Sequence, residues 1–293
     1  MPYLFRCQTH LKGPNVQPIV MDWRKILIEV VQEIKNAVVP ILDNPIAQKT
    51  YGIGAGGDPK KHIDLQAEKA LTETLIEHDL EFTLISEESG VKKFGQKPVY
   101  YVTVDPIDGT TNVLRGIPFA CTSVAISKKP YMMAVEAAIV ADIFHETTYL
   151  AQKMRGAYCN GKKIFPRQLA DLNKVVMCLD LNTHKFPDLT ERLKKLLSQT
   201  KHVRHFGANA LELCYVADGT IDAFLDIRGT LRTTDVAAAT HIIKEAGAII
   251  TTPLNTPLEP RLSPTERISF IASGNSKLHQ IILKTLKEPN NIC

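Results

Sequence analysis

Two aspartates three residues apart, Asp105 and Asp108, end a hydrophobic run in the stretch VDPIDGTTN, Val104 to Asn112. Pro106 between them fixes one backbone torsion and bends the chain, so both carboxylates and the carbonyl of Ile107 can face one point. Two close carboxylates stay ionised together only when a cation sits between them. A donor set of oxygen alone suits a hard divalent ion such as Mg²⁺ or Mn²⁺. Directly after, Gly109, Thr110 and Thr111 offer backbone N–H groups at an expected helix start, an anion site by geometry and dipole. Cations beside an anion site point to phosphate ester chemistry, in which metal ions bridge phosphate oxygens, activate water and stabilise the leaving oxygen.

Three other readings compete for the six residues DPIDGT. An exposed Asp-Pro turn with a capped helix behind it would look the same. A calcium loop of the EF-hand type would need the DxDxDG alternation and a terminal glutamate, both missing here. The DxDGT motif of aspartyl-phosphate phosphatases spaces its carboxylates two apart, against three in this chain. The rest of the sequence weakens all three, because Glu87 and Glu88 follow a neighbouring strand, FTLIS, and Asp235 opens the helical run DVAAATHIIKEAG. Asp64, near the start of the helical run DLQAEKALTETLIEH, reads equally well as a cap for free backbone N–H groups.

The elements that must position these acids follow from periodicity. Trp23, Ile26, Leu27, Val30, Val31, Ile34 and Val38 recur at helical spacing, and Pro40 marks the end of that helix. The stretch YGIGAGGDPKK reads as a mobile loop; with no strand before it and no GxGxxG frame, it is not a dinucleotide site. VYYVTV, CTSVAIS, YMMAVEAAIV and ETTYLAQ read as strands, with a hairpin turn at Asn160 and Gly161. Residues 21–165 are therefore expected to form an α+β domain of two helices beside a largely antiparallel sheet, carrying most of the metal ligands. After Phe165 strands and helices alternate, which is the α/β signature, so residues 166–293 are expected to form a second domain that completes the site. Residues 1–20 carry three prolines and no apolar period, and are expected to be a poorly ordered extension.

Composition excludes several classes. The 293 residues are 44% hydrophobic, enough for a large core, and the net charge of +4 is spread along the chain rather than gathered for nucleic acid. No apolar stretch approaches the roughly 20 residues that span a bilayer, and six scattered cysteines without CxxC spacing read as free thiols, so a cytoplasmic protein without a disulfide framework is expected.

The motifs SEESG, VDPIDGTTN, GAYCNGKKI, VADGTIDAFLDIR, TDVAAAT and AGAIIT, in that order from Met21 to the C-terminus, resemble the inositol monophosphatase family. Within it the chain is similar to the archaeal-type enzymes that act on both inositol monophosphate and fructose 1,6-bisphosphate. The resemblance implies an α/β, layered αβαβα sugar-phosphatase fold, two or three Mg²⁺ ions (or Mn²⁺), a small-molecule sugar or inositol phosphate as substrate and a homodimer. It implies that Glu87, Asp105 and the Ile107 carbonyl hold a first metal, and Asp105, Asp108 and Asp235 a second. Thr110 with Asp64 would orient the attacking water, Glu88 would act from behind the ligands, and the Gly109 and Thr110 amides would receive the phosphate. Asp226 falls where the family binds substrate hydroxyls, and Gly207, Ala208 and Asn209 lie on the loop lining that pocket. Thr234 departs from the family by replacing a tryptophan. The segment DIRGTLRTTD adds Arg228 and Arg232, which with Arg204 could neutralise a second phosphate, unless they are solvent-exposed or form internal ion pairs. A phosphatase of 3′-phosphoadenosine 5′-phosphate usually reads GTKGF where this chain has GTTNV, and a non-catalytic phosphate-binding protein would be expected to lack a ligand that is present here.

Overall fold

The computed structural model describes residues 21–182 and 186–287; the expectation for residues 1–20 lies outside the described residues. Helix α1, Trp23–Val38, buries the seven apolar residues whose spacing defines it, and stops where Pro40 enters a short 3₁₀ turn. The glycine-rich stretch expected to be a mobile loop is instead a hairpin, β1 (Thr50–Ile53) with β2 (Pro59–Lys61). Gly57, at φ 102°, supplies the left-handed backbone the turn requires, and Gly52, at φ 87°, lies where the register of β1 shifts. The hairpin leads directly into α2, His62–Glu77.

Strands β3 (Phe82–Ser86), β4 (Gly90–Phe94) and β5 (Tyr100–Asp108) follow, then a short helix α3, Thr110–Leu114. Next come β6 (Cys121–Ser127), β7 (Val135–Asp142), β8 (Thr148–Gln152), β9 (Gly156–Cys159) and β10 (Lys162–Lys163). They form an eight-stranded sheet in the order β10-β9-β8-β7-β6-β5-β3-β4, antiparallel except where β3 runs parallel to β5. The run YMMAVEAAIV is a strand only from Val135; Met132–Ala134 make a 3₁₀ turn. Asn160 and Gly161 take positive φ between β9 and β10.

The later elements are β11 (Val176–Leu179), α4 (Leu189–Gln199), β12 (His202–Arg204), α5 (Asn209–Asp218), β13 (Ala223–Arg232), α6 (Thr233–Ala246), β14 (Ile249–Thr251), β15 (Arg267–Ser273) and α7 (Ser276–Lys287). Their sheet, β12-β11-β13-β15-β14, is mixed: β12, β11 and β13 are parallel, whereas β15 is antiparallel to both neighbours. A last strand reached without a crossover helix on the same side arrives antiparallel. Strand β13 also outruns the expected IDAFLDI, continuing to Arg232.

Period-2 alternation sorts the strand residues between faces. Phe82, Leu84, Val124 and Ile139 meet α1 and α2, while Cys121, Ala125, Ala138 and Val140 meet α5 and α6. On the second sheet Phe224 and Phe270 face α5 and α6 from the other side, and Leu225, Ile227 and Ile271 face α4 and α7. The result is five layers, αβαβα, with α5 and α6 shared by both sheets. No helix among the described residues is long and apolar enough to cross a membrane. Among the described cysteines, Cys121, Cys159, Cys178 and Cys214 are free thiols.

Candidate active site

Parallel pairing brings the first two acids together. Ser86 and Val104 are partners in the β3–β5 ladder, so the next residue of each strand, Glu87 and Asp105, leaves the same edge side by side. Beyond Asp105 the pairing of β5 with β6 shifts register, a bulge that carries the chain through Pro106 and Ile107 to Asp108. The third acid arrives from the shared helical layer. Asp235 is the third residue of α6, and its Oδ2 accepts the Arg232 N–H at 3.0 Å, which caps the helix and fixes the carboxylate. One carboxylate oxygen each from Glu87, Asp105 and Asp235 lies within 4.8 Å of the others. Asp108 performs the equivalent service for α5, its Oδ2 accepting the Ala210 N–H at 2.6 Å.

Gly109 follows at φ 91°, and a Cβ there would approach the Phe119 carbonyl to 3.1 Å, so the turn into α3 requires glycine. The Thr110 hydroxyl lies 3.2 Å from Asp64 Oδ1 and 2.9 Å from the Ile107 carbonyl, able to donate to either. The Asp64 carboxyl also accepts the backbone N–H of Lys61, so its helix-cap reading and its place in the site coexist. Glu88 stands behind, its backbone N–H donating to Ser86 Oγ at 3.1 Å, while its buried Oε2 has no partner among the described residues.

Crowding and burial set the electrostatics. Burial pushes Asp64 up to about 7. Burial first, then the neighbouring Asp235, pushes Glu87 up to about 9, against the pull of Arg232. Glu88 rises to about 8 through burial and then Asp64 and Glu68. Asp108 rises to about 8 through burial, against the Ala210 hydrogen bond. Asp105 is held well above the usual carboxylate range by burial and then by Glu87 and Asp108. Oxygen donors that repel one another this strongly are relieved by a hard divalent cation, so these residues fit the metal that the sequence implies.

A cavity of about 370 Å³ opens on this cluster. Of the residues expected from sequence, Asp64, Glu87, Glu88, Asp105, Ile107, Asp108, Gly109, Thr110, Gly207, Asn209 and Asp235 line it. Ala208 is buried beneath, 3.2 Å from where a Gly109 Cβ would stand. Asp226, Arg228 and Arg204 do not line it. Asp226 is fully buried and bound by Arg228, with Nε to Oδ1 at 3.0 Å and Nη2 to Oδ2 at 2.6 Å; Nη2 also reaches Asp180 at 2.5 Å. Arg204 is exposed and donates to its neighbour's carbonyl. Arg228 therefore takes the internal ion-pair reading. Arg232, expected toward a second phosphate, instead reaches into the carboxylate cluster, with Nη1 2.8 Å from Glu87 and 2.7 Å from Asp58. Sequence reasoning did not place Asp58 or Lys61 here; both line the cavity from the hairpin. The available signal was an acid and two lysines in GGDPKK, just ahead of Asp64.

Known proteins resemble the chain in sequence and in fold. Residues 21–290 match the model of the inositol monophosphatase family. The chain is 32% identical to a fructose-1,6-bisphosphatase/inositol-1-monophosphatase of Methanothermobacter thermautotrophicus, over 90% of this chain and 96% of the relative. It is 34% identical to a bifunctional NADP phosphatase/NAD kinase of Methanococcus maripaludis, over 89% of this chain and 48% of the relative. A crystal structure described as an inositol monophosphatase–fructose 1,6 bisphosphatase superposes with a TM-score of 0.80 at 31% identity, covering 90% of this chain and all of that one. With an ordered motif set, a five-layer fold and a buried carboxylate centre in agreement, the chain belongs to the inositol monophosphatase family.

Proposed function

We propose that the protein is a Mg²⁺-dependent phosphatase that hydrolyses fructose 1,6-bisphosphate to fructose 6-phosphate and inositol 1-phosphate to inositol. The observation that carries this reading is the convergence of Glu87, Asp105 and Asp235 within 4.8 Å beside the Thr110–Asp64 contact. Glu87, Asp105 and the Ile107 carbonyl would hold one ion, and Asp105, Asp108 and Asp235 another; bound there, divalent ions supply Lewis-acid activation of water and of the phosphoryl oxygens.

The chain's own groups do the rest. Gly109 and Thr110 present backbone N–H groups to the phosphate at the cavity floor. The Thr110 hydroxyl, when it donates to Asp64 Oδ1, turns its lone pairs toward the cavity, where it can accept from the attacking water and fix its line of approach. Asp64 is buried and tuned to about 7, which suits its ionised form to take the Thr110 hydroxyl proton near neutral pH as the water passes its own proton to Thr110 Oγ. Glu88 orders the ligands from behind. Gly207 and Asn209, on the approach to α5, border the space for the alcohol portion of the ester. A cytoplasmic homodimer acting in gluconeogenesis is the setting that accords with this substrate pair.

A dinucleotide phosphate is the second reading, favoured by the 34% identity to a protein that carries an NADP phosphatase. One panel decides: phosphate release with Mg²⁺ from fructose 1,6-bisphosphate, inositol 1-phosphate and NADP. Highest kcat/KM on either of the first two supports the principal reading, highest on NADP supports the second, and no release from any would sink both.

A further inference from the structure

We propose that Arg232 is a built-in placeholder for a divalent cation: it occupies the ligand carboxylates of the metal-free chain, latches the β1–β2 hairpin over them, and must be displaced for the metal to load. The inference rests on the metal-dependent reading of this site and says how loading is controlled.

Five contacts carry it. The guanidinium of Arg232 meets Glu87 Oε1 through Nη1 at 2.8 Å and Asp235 Oδ1 through Nε at 3.1 Å, so it engages two of the three acids that converge. The same Nη1 reaches Asp58 at 2.7 Å, across 174 residues of sequence and onto the hairpin. Its side chain is 15% exposed and those of Glu87 and Asp235 12% and 6%, so these two ion pairs are largely screened from water, while Asp58 meets it from the exposed rim at 69%. The hairpin tip closes on the same place: Gly56 donates to the Glu87 carbonyl at 2.9 Å, and Arg267 donates to the Gly56 carbonyl at 2.8 Å. A Cβ at Gly56 would lie 2.8 Å from Arg232 Nη1 and 2.9 Å from Glu87 Cγ, so the tip is packed directly against the guanidinium.

The backbone of Arg232 is fixed by its own capping contact to Asp235, and only the side chain is free to leave. A divalent ion between Glu87, Asp105 and Asp235 has twice the charge of a guanidinium, competes for the same carboxylates and repels it at close range. Loading therefore expels the side chain, and the hairpin loses its Asp58 tie, leaving the backbone contacts of its tip to hold it. Arg232 is a positioning residue in this account, since it acts on the metal ligands and on the hairpin rather than on the substrate. Arginine suits the task because its fork spans two carboxylates and never deprotonates.

The test is titration of Mn²⁺ into the metal-free full chain, with free ion followed by electron paramagnetic resonance. Arg232→Gln is expected to bind the first ion about tenfold more tightly than wild type, the scale on which one close opposite charge biases a carboxylate. Arg232→Lys, which keeps the charge, is expected to stay near the wild-type affinity. Unchanged or weaker binding by Arg232→Gln overturns the placeholder role, as does equal tightening by the lysine variant. Trypsin cleavage at Lys60 and Lys61 of metal-free protein, mapped by mass spectrometry, tests the latch without altering a metal ligand. Asp58→Asn and Arg232→Gln are both expected to be cut several-fold faster there than wild type, with other sites unaffected. Wild-type rates in both variants overturn the latch. Absence of saturable Mn²⁺ binding in the wild type defeats the metal centre itself, and the inference with it; binding that is indifferent to residue 232 defeats the inference alone.

Discussion

Two buried groups of carboxylates in this molecule have opposite fates. Asp226 and Asp180 share the guanidinium of Arg228, whose fork meets Asp226 at both oxygens, so each acid of that group has its partner within the fold. Glu87, Asp105, Asp108 and Asp235 have only Arg232 as an ion-pair partner among the described residues, and burial leaves the carboxyls of Glu87, Asp105 and Asp108 raised. The same side-chain types make a structural tie in one place and an unmet demand for charge in the other. What separates them is the number of carboxylates each cation must serve, two for Arg228 and four for Arg232, and a deficit of that kind marks a place where something from solution belongs.

The sharpest way to break the contrast is Asp105→Asn. Turnover with Mg²⁺ is expected to fall by about 10³-fold or more, the upper range for loss of a group that stabilises transition-state charge. The melting temperature of the metal-free protein should hold or rise, because one repelling charge has gone. Retained turnover in the folded variant would refute the two-metal centre.

Arg228→Ala probes the other group. Removing one partner of a buried pair leaves uncompensated charge, so urea denaturation is expected to show a loss of about 3 kcal/mol. KM for fructose 1,6-bisphosphate and for inositol 1-phosphate should change by the same factor. A rise of tenfold confined to the bisphosphate would restore Arg228 as a contact to a second phosphate. Thr110→Ala should lower kcat by about 10²-fold, with the Mg²⁺ dependence unchanged; a shifted metal requirement instead would place the hydroxyl among the metal's supports.

The smallest effect concerns His241, a buried base satisfied by neither device. Its Nε2 has no partner among the described residues, and burial, with Lys244 and Lys153 acting in the same sense and Glu245 against them, pulls it down to about 4. The unfolded chain binds this proton more readily than the folded one, so the contribution is intact above about 6.5 and is lost as pH falls toward 4. By pH 5.5 the loss should be about 1 kcal/mol in denaturant midpoints, and His241→Gln should flatten that slope. An identical slope in the variant would assign the pH dependence to other groups.

The sequence announced the layers more readily than the ties between them. Helix α1 was legible because seven buried residues repeat at its period, and the acids at the ends of FTLIS and VYYVTV were legible because strands place their ends on one edge. The hairpin at residues 50–61 was not, since glycines that permit a loop also permit a tight turn, and what decides is docking of its tip onto Glu87 and Arg267. The roles of Arg228 and Arg232 were equally hidden. Both sit in one short segment with similar neighbours, and strand alternation alone cannot say that one side chain turns to Asp226 and the other to Glu87.

One consequence follows from the helical layer that both sheets share. Asp108 holds the start of α5 from the first sheet, and Asp235 begins α6 beside the end of the second sheet's long strand, so the centre lies on the seam where the two halves of the core meet. Any ion seated there acts as a rivet, favouring the assembled seam over every state in which it has parted. The resistance of the fold to heat should then rise and fall with the supply of divalent ions, by about 2.7 kcal/mol at a hundredfold excess over Kd, making the durability of the protein a gauge of the ion supply around it.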